Sequence, residues 1–555
     1  MKDKKGKQTT YAGRWVAKLG GEVIAQGGTP GQALRLAQSI RHKEKPVISY
    51  MPPEIQVHPL VEKVKTLLTP DQEIYLVGGG VRDMLLQRGS PDLDFALPAD
   101  AIPFARRVAN KLKADYFTLD EARDIGRVIV TDELGKRTFL DFNRFQGGQD
   151  IEQDLKGRDF TINALAYDLR NGSMLDPLGG ARDLHAKKIR ACSADSFKRD
   201  PVRILRAVRF AAALAFQIDP ETRRWAKASA DKLQQTSPER LRDELFKILD
   251  GPQPDASLRA LEILGVLPYF LPELTRLKGE AQPAPHVHDV WDHTLAVLRY
   301  LEALVSALHV GYDADQTNDL FTGLVSLKLG RYREQLAAHF ANSLNPERSI
   351  HGLLFFAAFV HDVAKPQTRS VDENGRMRFL GHAEAGARIA VECADRLHLS
   401  RDEQERLDVI VRNHMRFHYH VSRMEAESKP PSRRAIYRFF RDAGAAGVDL
   451  VLLGLADRRG TQDSSLTQET WSAALSVARL LLENYWEKPQ ESISPLKLLD
   501  GNDLMVELNL QPGEQLGRLL EAIREAQAVG KVVTRDQAII FSRDWLRDDH
   551  QSVTR

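Results

Sequence analysis

The tightest constraint on this chain is a run in its first third, EIYLVGGGVRDMLL followed closely by SPDLDFAL. The first segment reads as a strand, a glycine turn and the start of a helix. Gly78, Gly79 and Gly80 can expose successive backbone N–H groups, with Arg82 in the first helical turn, which suits a triphosphate. Turns of this kind more often only reverse the chain, and the second segment narrows the reading. Side chains alternate along a strand, so Asp92 and Asp94 share one face while Leu93, Phe95 and Leu97 point into a core. Two adjacent carboxylates repel unless cations lie between them, and two Mg2+ ions are the usual occupants. Such ions would bind a triphosphate and lower the pKa of an attacking ribose hydroxyl. A lone DxD is as often an exposed polar edge; the preceding GGGVRD weighs against that.

The rest of the chain must house this unit among several others, because 555 residues exceed a single core. With 43% hydrophobic and 28% charged residues the composition is that of an ordinary globular protein. No apolar run approaches a bilayer span, and the charged start MKDKKGKQTT is not a secretory signal. Cys192 and Cys393 are the only cysteines, which excludes a disulfide framework and suits a reducing cytoplasm. Residues 1–52 read as a small ββα accessory domain: RWVAKL and EVIAQG flank Gly20-Gly21, ALRLAQSIR follows, and Met51-Pro52-Pro53 is a linker. From 53 to 190, strand-like and helical segments alternate, with EIYLV, DLDFALP, RVIVTDE and RTFLDF as strands. Apolar residues then fall at helical spacing, giving an all-α neck and body over 191–280. Further helical regions follow over 281–480, with an apparent insertion at about 308–349, and over 490–555. The fold class is therefore α+β and multidomain, a mixed α/β head ahead of helical domains. Between Lys187 and Lys227 basic residues outnumber acidic ones, which suits either RNA phosphates or a solvated face.

After GGGVRD and DLDFAL come DIEQDLKGRDFTINALAYDL, MLDPLGGARDL, FKRDPVRILRAVRFAA and ERLRDELFKIL. In this order the motifs resemble the class II tRNA nucleotidyltransferases and bacterial poly(A) polymerases over about residues 72–250. The resemblance implies that Gly79 and Arg82 hold the triphosphate and that Asp92 and Asp94 hold the metals. It implies that Arg158 and Asn163 line the nucleotide pocket, with Asp200, Arg203, Arg206 and Arg209 on one helix beside the nucleotide. The chain departs from the family twice. Gly157 stands where the first of two arginines is usual, and Arg199 where a Glu precedes Asp200. Asp141, on TFLDF, is either a third catalytic carboxylate or a solvent-facing strand residue. Asp200 and Arg203, three residues apart on a helix, project to one side. A carboxylate and a guanidinium match the amine donor and ring-nitrogen acceptor that ATP and CTP share, a pattern that UTP and GTP reverse. The bland alternative is a surface salt bridge.

A second constellation follows. HDVWDHTL, FVHDVAKP, FLGHAEAG, VRNHM and LGLADRRG supply His293, His361, Asp362, His382, His414 and Asp457 in order. Mixed imidazoles and carboxylates suit Mn2+, Ni2+, Fe2+ or Mg2+ better than a structural zinc cluster. Asp362 could bridge two ions that activate a water; His286 and His288 lie close enough in sequence to join them. The order resembles the HD domain fused to some tRNA nucleotidyltransferases, which implies hydrolysis of phosphate mono- or diesters. The tail, from PLKLLDGNDL onward, resembles the family's C-terminal helical region, either contacting RNA or packing as a helical unit.

Together these readings predict template-independent addition of C and A, or of A alone, to tRNA 3′ ends from CTP and ATP. The acceptor and T arms of tRNA are the expected partner, an accessory HD phosphohydrolase is expected alongside, and no membrane is involved. Poly(A) synthesis is the alternative within the class. An HD phosphohydrolase whose head only binds RNA, or a non-catalytic RNA-binding protein, are the alternatives outside it. Nothing in these patterns fixes an oligomeric state.

Overall fold

A computed structural model describes residues 11, 14–40, 45–51, 57–145, 150–313 and 319–553. The chain divides into two compact units, Met1–Thr236 and Ser237–Arg555. Among the described residues no helix is long and apolar enough to cross a membrane.

The first unit opens with β1 (Arg14–Leu19), β2 (Glu22–Gly27), the helix Pro30–Ile40 and β3 (Val47–Met51). The strands form an antiparallel sheet in the order β2-β1-β3. The third strand extends the expected ββα unit, and Met51 belongs to it; Pro52 and Pro53 lie outside the described residues. Short β-branched and aromatic runs such as VISYM gain their stability from a neighbouring strand, here β1, which their own sequence does not announce.

The head is built on a seven-stranded sheet ordered β10-β9-β4-β5-β8-β7-β6. Its strands are β4 (Tyr75–Val77), β5 (Asp92–Leu97), β6 (Asp115–Asp120), β7 (Ile125–Thr131), β8 (Arg137–Arg144), β9 (Ala166–Asp168) and β10 (Ser173–Leu175). The pairing of β5 with β8 is parallel; the other pairings are antiparallel. Strands β6, β9 and β10 escape the sequence reading, two of them because three residues carry too little alternation to stand out. The expected alternation holds on β5. Leu93, Phe95 and Leu97 are buried with Leu140 and Phe142 of β8 beneath the helix Ala101–Leu112, and the rings of Phe95 and Phe142 stack at 4.8 Å. That leaves Asp92 and Asp94 on the opposite face.

The N-terminal sheet docks on the β10 end of the head. The Trp15 indole donates to the Met174 carbonyl at 2.9 Å, and the Asp176 amide donates to the Gly28 carbonyl at 2.7 Å. A Cβ on Gly28 would lie 1.5 Å from the Asp176 carbonyl oxygen, so only glycine allows this approach.

Among its described residues the second unit is helical apart from one small hairpin, Arg369–Val371 with Met377–Phe379. At its centre lies the helix Ile350–Val360, apolar on all sides and buried at ten of its eleven positions, as such a helix must be. It ends at His361. The segment from 308 to 349 contains the helices Leu320–Leu329 and Arg333–Ala341, and it packs into the unit: the Trp471 indole donates to the Phe321 carbonyl at 3.0 Å. The tail consists of the helices Gly501–Leu508, Glu514–Ala528 and Arg535–Val553 around their own apolar core, which includes Leu504, Leu519 and Ile523.

Gly28→Ala is expected to destabilise the first unit by roughly 1–3 kcal/mol through overpacking, read by denaturant unfolding. An unchanged midpoint would mean that the contact with Asp176 does not hold the two sheets together.

Candidate active sites

In the head, the parallel register of β5 and β8 sets Asp94 directly beside Asp141, with Asp92 two residues away on the same face. The carboxylates crowd on this face. Burial, then the Asp141 charge, raise the Asp92 carboxyl above its ordinary range. For Asp94 burial is the main cause and pushes the carboxyl up to about 6 against the pull of Arg158. Asp141 is held differently: Arg127, its cross-strand partner on β7, grips it with two hydrogen bonds of 2.7 Å.

Above the end of β4, Gly78 adopts φ +69°, a left-handed conformation that favours glycine. A Cβ there would sit 3.0 Å from Arg158 and 3.5 Å from the Asp94 carboxylate, so the turn, the Asp94 carboxylate and Arg158 converge. Gly79 begins the helix Gly79–Leu85. Arg82 donates to Asn163 Oδ1 at 2.9 Å and pairs with Asp83, while Asn163 donates to Asp159 at 3.0 Å. Asp159 also receives two bonds from Arg206, at 2.7 and 3.0 Å. Burial works against this carboxylate, yet Arg206 and Asn163 hold it below the ordinary range. Sequence reasoning passed over Asp159, although it sits inside the GRDFTIN motif between two residues that were singled out.

One expectation is corrected. Asp200 is not on the helix with Arg203, Arg206 and Arg209; that helix runs Arg203–Leu214, and Asp200 is extended at φ −148°, ψ 92°. Pro201 explains it, since a residue before proline is driven out of the helical region. Asp200 and Arg203 still approach to 3.7 Å. Arg203 also donates to the carbonyls of Gly157 and Arg158 and to the Ser196 hydroxyl, at 3.0, 3.1 and 2.9 Å. Arg82, Arg206 and Arg209 all lie within 5.4 Å of the Phe210 ring centre.

In the second unit all six residues of the HD motifs meet. His293, His361 and Asp457 form one group of buried ligand atoms, and Asp362, His382 and His414 another. His361, His382 and His414 share one device. Each ring places Nδ1 on the carbonyl three residues before it, at 2.8, 2.7 and 2.6 Å, which leaves Nε2 to face the cluster. The Nε2 atoms of His293 and His361 lie 3.4 and 3.2 Å from Asp362, and that of His293 lies 3.2 Å from Asp457. Both nitrogens of His293, Nε2 of His361 and Oδ1 of Asp362 are buried without a hydrogen bond among the described residues. Orphaned donor atoms of this kind, aimed at one another, fit a divalent cation.

Burial lowers the His293 imidazole, but the neighbouring Asp362 and Asp457 raise it to about 9. His414, by contrast, falls to about 3 through burial and the His361 charge. The motifs did not single out two further residues. The Lys365 ammonium lies 2.6 Å from Asp362, and His418 Nε2 donates to Asp457 at 2.7 Å. Their spacing, three residues after Asp362 and four after His414, was the available signal. His286 stacks edge-on against His293 at 5.3 Å, whereas His288 is bound to Asp463 at 2.7 Å, apart from the cluster.

The mixed sheet with its paired carboxylates beside a glycine turn, and His361, Asp362, His382 and His414 of the buried cluster, each fall within a match to a known domain. Residues 74–190 match the poly A polymerase head domain and 332–441 the HD domain. Residues 215–278 match a probable RNA and SrmB-binding site of polymerase A, 471–542 a tRNA nucleotidyltransferase domain 2, and 8–54 a family of unknown function. The chain is 33% identical over 482 residues to a CC-adding tRNA nucleotidyltransferase of Thermus thermophilus, covering 85% of this chain and 94% of that one. It is 32% identical over 483 residues to an A-adding tRNA nucleotidyltransferase of Deinococcus radiodurans, covering 85% and 95%. The chain belongs to the tRNA nucleotidyltransferase family. A CCA-adding enzyme in complex with ATP shares its fold, with a TM-score of 0.55 at 21% identity over 88% of this chain and 94% of that one.

A carboxyl whose folded pKa exceeds its unfolded value supports folding while protonated and withdraws that support as it ionises, here between about pH 4 and pH 6. Asp94→Asn is therefore expected to stabilise the metal-free protein at pH 7 by roughly 1–3 kcal/mol, with no gain at pH 4. Thermal melts at both pH values check this; equal effects at the two would show that ionisation of Asp94 is not the cause.

Proposed function

We propose that the head adds C and A to the 3′ end of tRNA from CTP and ATP without a nucleic-acid template. The observation that carries the proposal is the convergence of Asp92, Asp94, the Gly78 turn and Arg158 at one end of β4 and β5. Asp92 and Asp94 hold Mg2+, which supplies neutralisation of the triphosphate and a lower pKa for the attacking hydroxyl. Gly79 and Arg82 bind the triphosphate; Arg82 must exchange its bond to Asn163 for the phosphate, which frees Asn163 toward the nucleotide. Arg158 lines the same pocket. Asp200 and Arg203 read the base, and Arg203 positions the Gly157–Arg158 backbone as it does so. Arg206 and Arg209 complete the wall. Asp141, neutralised by Arg127, acts as a third carboxylate that places the metal-bound pair rather than as an exposed strand residue.

The acceptor and T arms of tRNA are the proposed RNA ligand, and the exposed basic residues from Lys187 to Lys227 support an approach along the neck. Completing only part of the CCA end is the second reading, favoured because relatives matched along almost their whole length include both a CC-adding and an A-adding enzyme. Poly(A) synthesis has no comparable support. In the HD domain, His293, His361, Asp362, His382, His414 and Asp457 hold Mn2+, Ni2+, Fe2+ or Mg2+, which supplies an activated water for phosphoester hydrolysis. Lys365 lies beside Asp362, where its charge meets a phosphate oxygen.

Asp92→Ala or Asp94→Ala is expected to abolish nucleotide addition and spare metal-dependent phosphatase activity, and His361→Ala to do the reverse. Near-normal addition by Asp92→Ala would overturn the metal assignment. Three tRNAs, ending before CCA, after C and after CC, each incubated with CTP or ATP, resolve which steps occur; long A tails on unstructured RNA would favour poly(A) synthesis instead.

Arg203→Ala is expected to raise the KM for ATP and CTP together, by roughly 1–3 kcal/mol in kcat/KM, and to relax the exclusion of UTP and GTP. Unchanged selectivity would leave Arg203 with only its structural bonds to residues 157, 158 and 196.

A further inference from the structure

The helix Met415–Glu427 has two working faces. One carries His418 toward Asp457 and follows directly on His414. The other carries Arg416, Tyr419 and Arg423, which line a groove of about 610 Å³. The opposite wall is the helix Arg433–Ala443, whose Arg434, Arg438 and Arg441 fall at i, i+4 and i+7 on one side. Lys429, Pro430 and Pro431 close one end. Six cations therefore line the groove, against a single lining carboxylate, Asp442.

Of the acids that pair with these cations, Asp442 alone is among the residues that line the groove. Arg434 and Arg438 both reach Glu525 at 2.9 Å, Arg423 and Lys429 reach Glu427 at 2.9 and 3.7 Å, and Arg416 reaches Asp442 at 2.5 Å. Arg441 meets Asp442 and Glu521. Four carboxylates thus serve six cations and leave an excess of two. Half-exposed ion pairs contribute about 0–1 kcal/mol, so a polyanion can compete for these guanidiniums at little cost. Tyr419, 60% exposed, offers a ring to a planar ligand between the two arginines of its helix.

We infer that this groove is a binding site for the phosphate backbone of RNA, with Tyr419 as a stacking platform for a base. Rows of guanidiniums facing each other across a concave channel, with an aromatic ring inside, match a strand of nucleic acid. A lipid surface is flat and would not reach into the groove. An acidic peptide would have no use for the exposed ring. The inference rests on the chain acting on RNA, and it is independent of whether the HD cluster hydrolyses anything.

The test uses the full chain and a tRNA transcript lacking its 3′-terminal CCA, with binding read by fluorescence anisotropy across a salt series. The triple variant Arg423→Gln, Lys429→Gln, Arg434→Gln alters exposed side chains and leaves Glu525 its bond to Arg438. Its Kd is expected to rise about ten-fold, and the slope of log Kd against log salt to shrink by about 2–3, roughly one for each phosphate no longer neutralised. Tyr419→Ala is expected to weaken binding severalfold with the slope unchanged, because stacking releases no counterions. Arg401→Gln, on a 90% exposed residue outside the groove, is the control and should match the wild type. Wild-type Kd and slope in the triple variant would overturn the groove assignment alone. Loss of binding to phosphatidylserine vesicles with tRNA binding intact would overturn it in favour of a membrane surface. Failure of the wild-type chain to bind tRNA at all would overturn the RNA reading of the whole protein together with it.

Discussion

The buried Asp159 carboxylate, paired with the partly exposed Arg206, makes the interaction on which the head beside the glycine turn depends. Asp159 accepts from the Phe160 amide, from Asn163 and twice from Arg206. Its own carbonyl accepts from the Cys192 amide and the Ser196 hydroxyl. One carboxylate thereby ties the segment after β8 to the helix Arg203–Leu214, and through Asn163 it orients Arg82 beside the glycine turn. An uncompensated charge at this depth would be strongly destabilising, so removing either member would cost more than the pair itself contributes. The placement of Arg82 beside the glycine turn and that of the helix Arg203–Leu214 are set by the same group.

The two sites manage negative charge in different ways. In the head the carboxylates share one strand face, where burial first and their mutual repulsion second raise Asp92 and Asp94, while a bidentate arginine grips Asp141. In the HD cluster the carboxylates lie fully inside, and Lys365, His293 and His418 supply positive charge or donors at close range. The first arrangement suits cations that arrive and leave with a nucleotide. The second suits ions that remain with the protein.

Much of this was legible in the residues. The period of two on β5 determined which side chains face the core and which lie on the opposite face with Asp92 and Asp94, because a strand has no other option. The six HD ligands could be gathered from five separate motifs because each lies on or at the end of a helix whose neighbours are apolar. What escaped the sequence was set by partners distant along the chain. Val47–Met51 becomes a strand only beside Arg14–Leu19, and β9 and β10 are too short to show a period. Asp200 reads as helical because the apolar spacing from Val202 onward extends backward well; the restriction imposed by Pro201 outweighs that spacing. Lys365 and His418 matter only through contacts with Asp362 and Asp457, which spacing alone cannot rank.

The helix Met415–Glu427 has a consequence for how such a chain can diverge. With 3.6 residues to the turn, its imidazole face and its arginine face are locked in phase. A single inserted or deleted residue would rotate one face by about 100° relative to the other, and Gly454 pressed against Phe417 prevents the helix from turning to compensate. Point substitutions can therefore accumulate along this segment, whereas changes in its length are closed to it. Its residue count is a more durable record of ancestry than its residue identities.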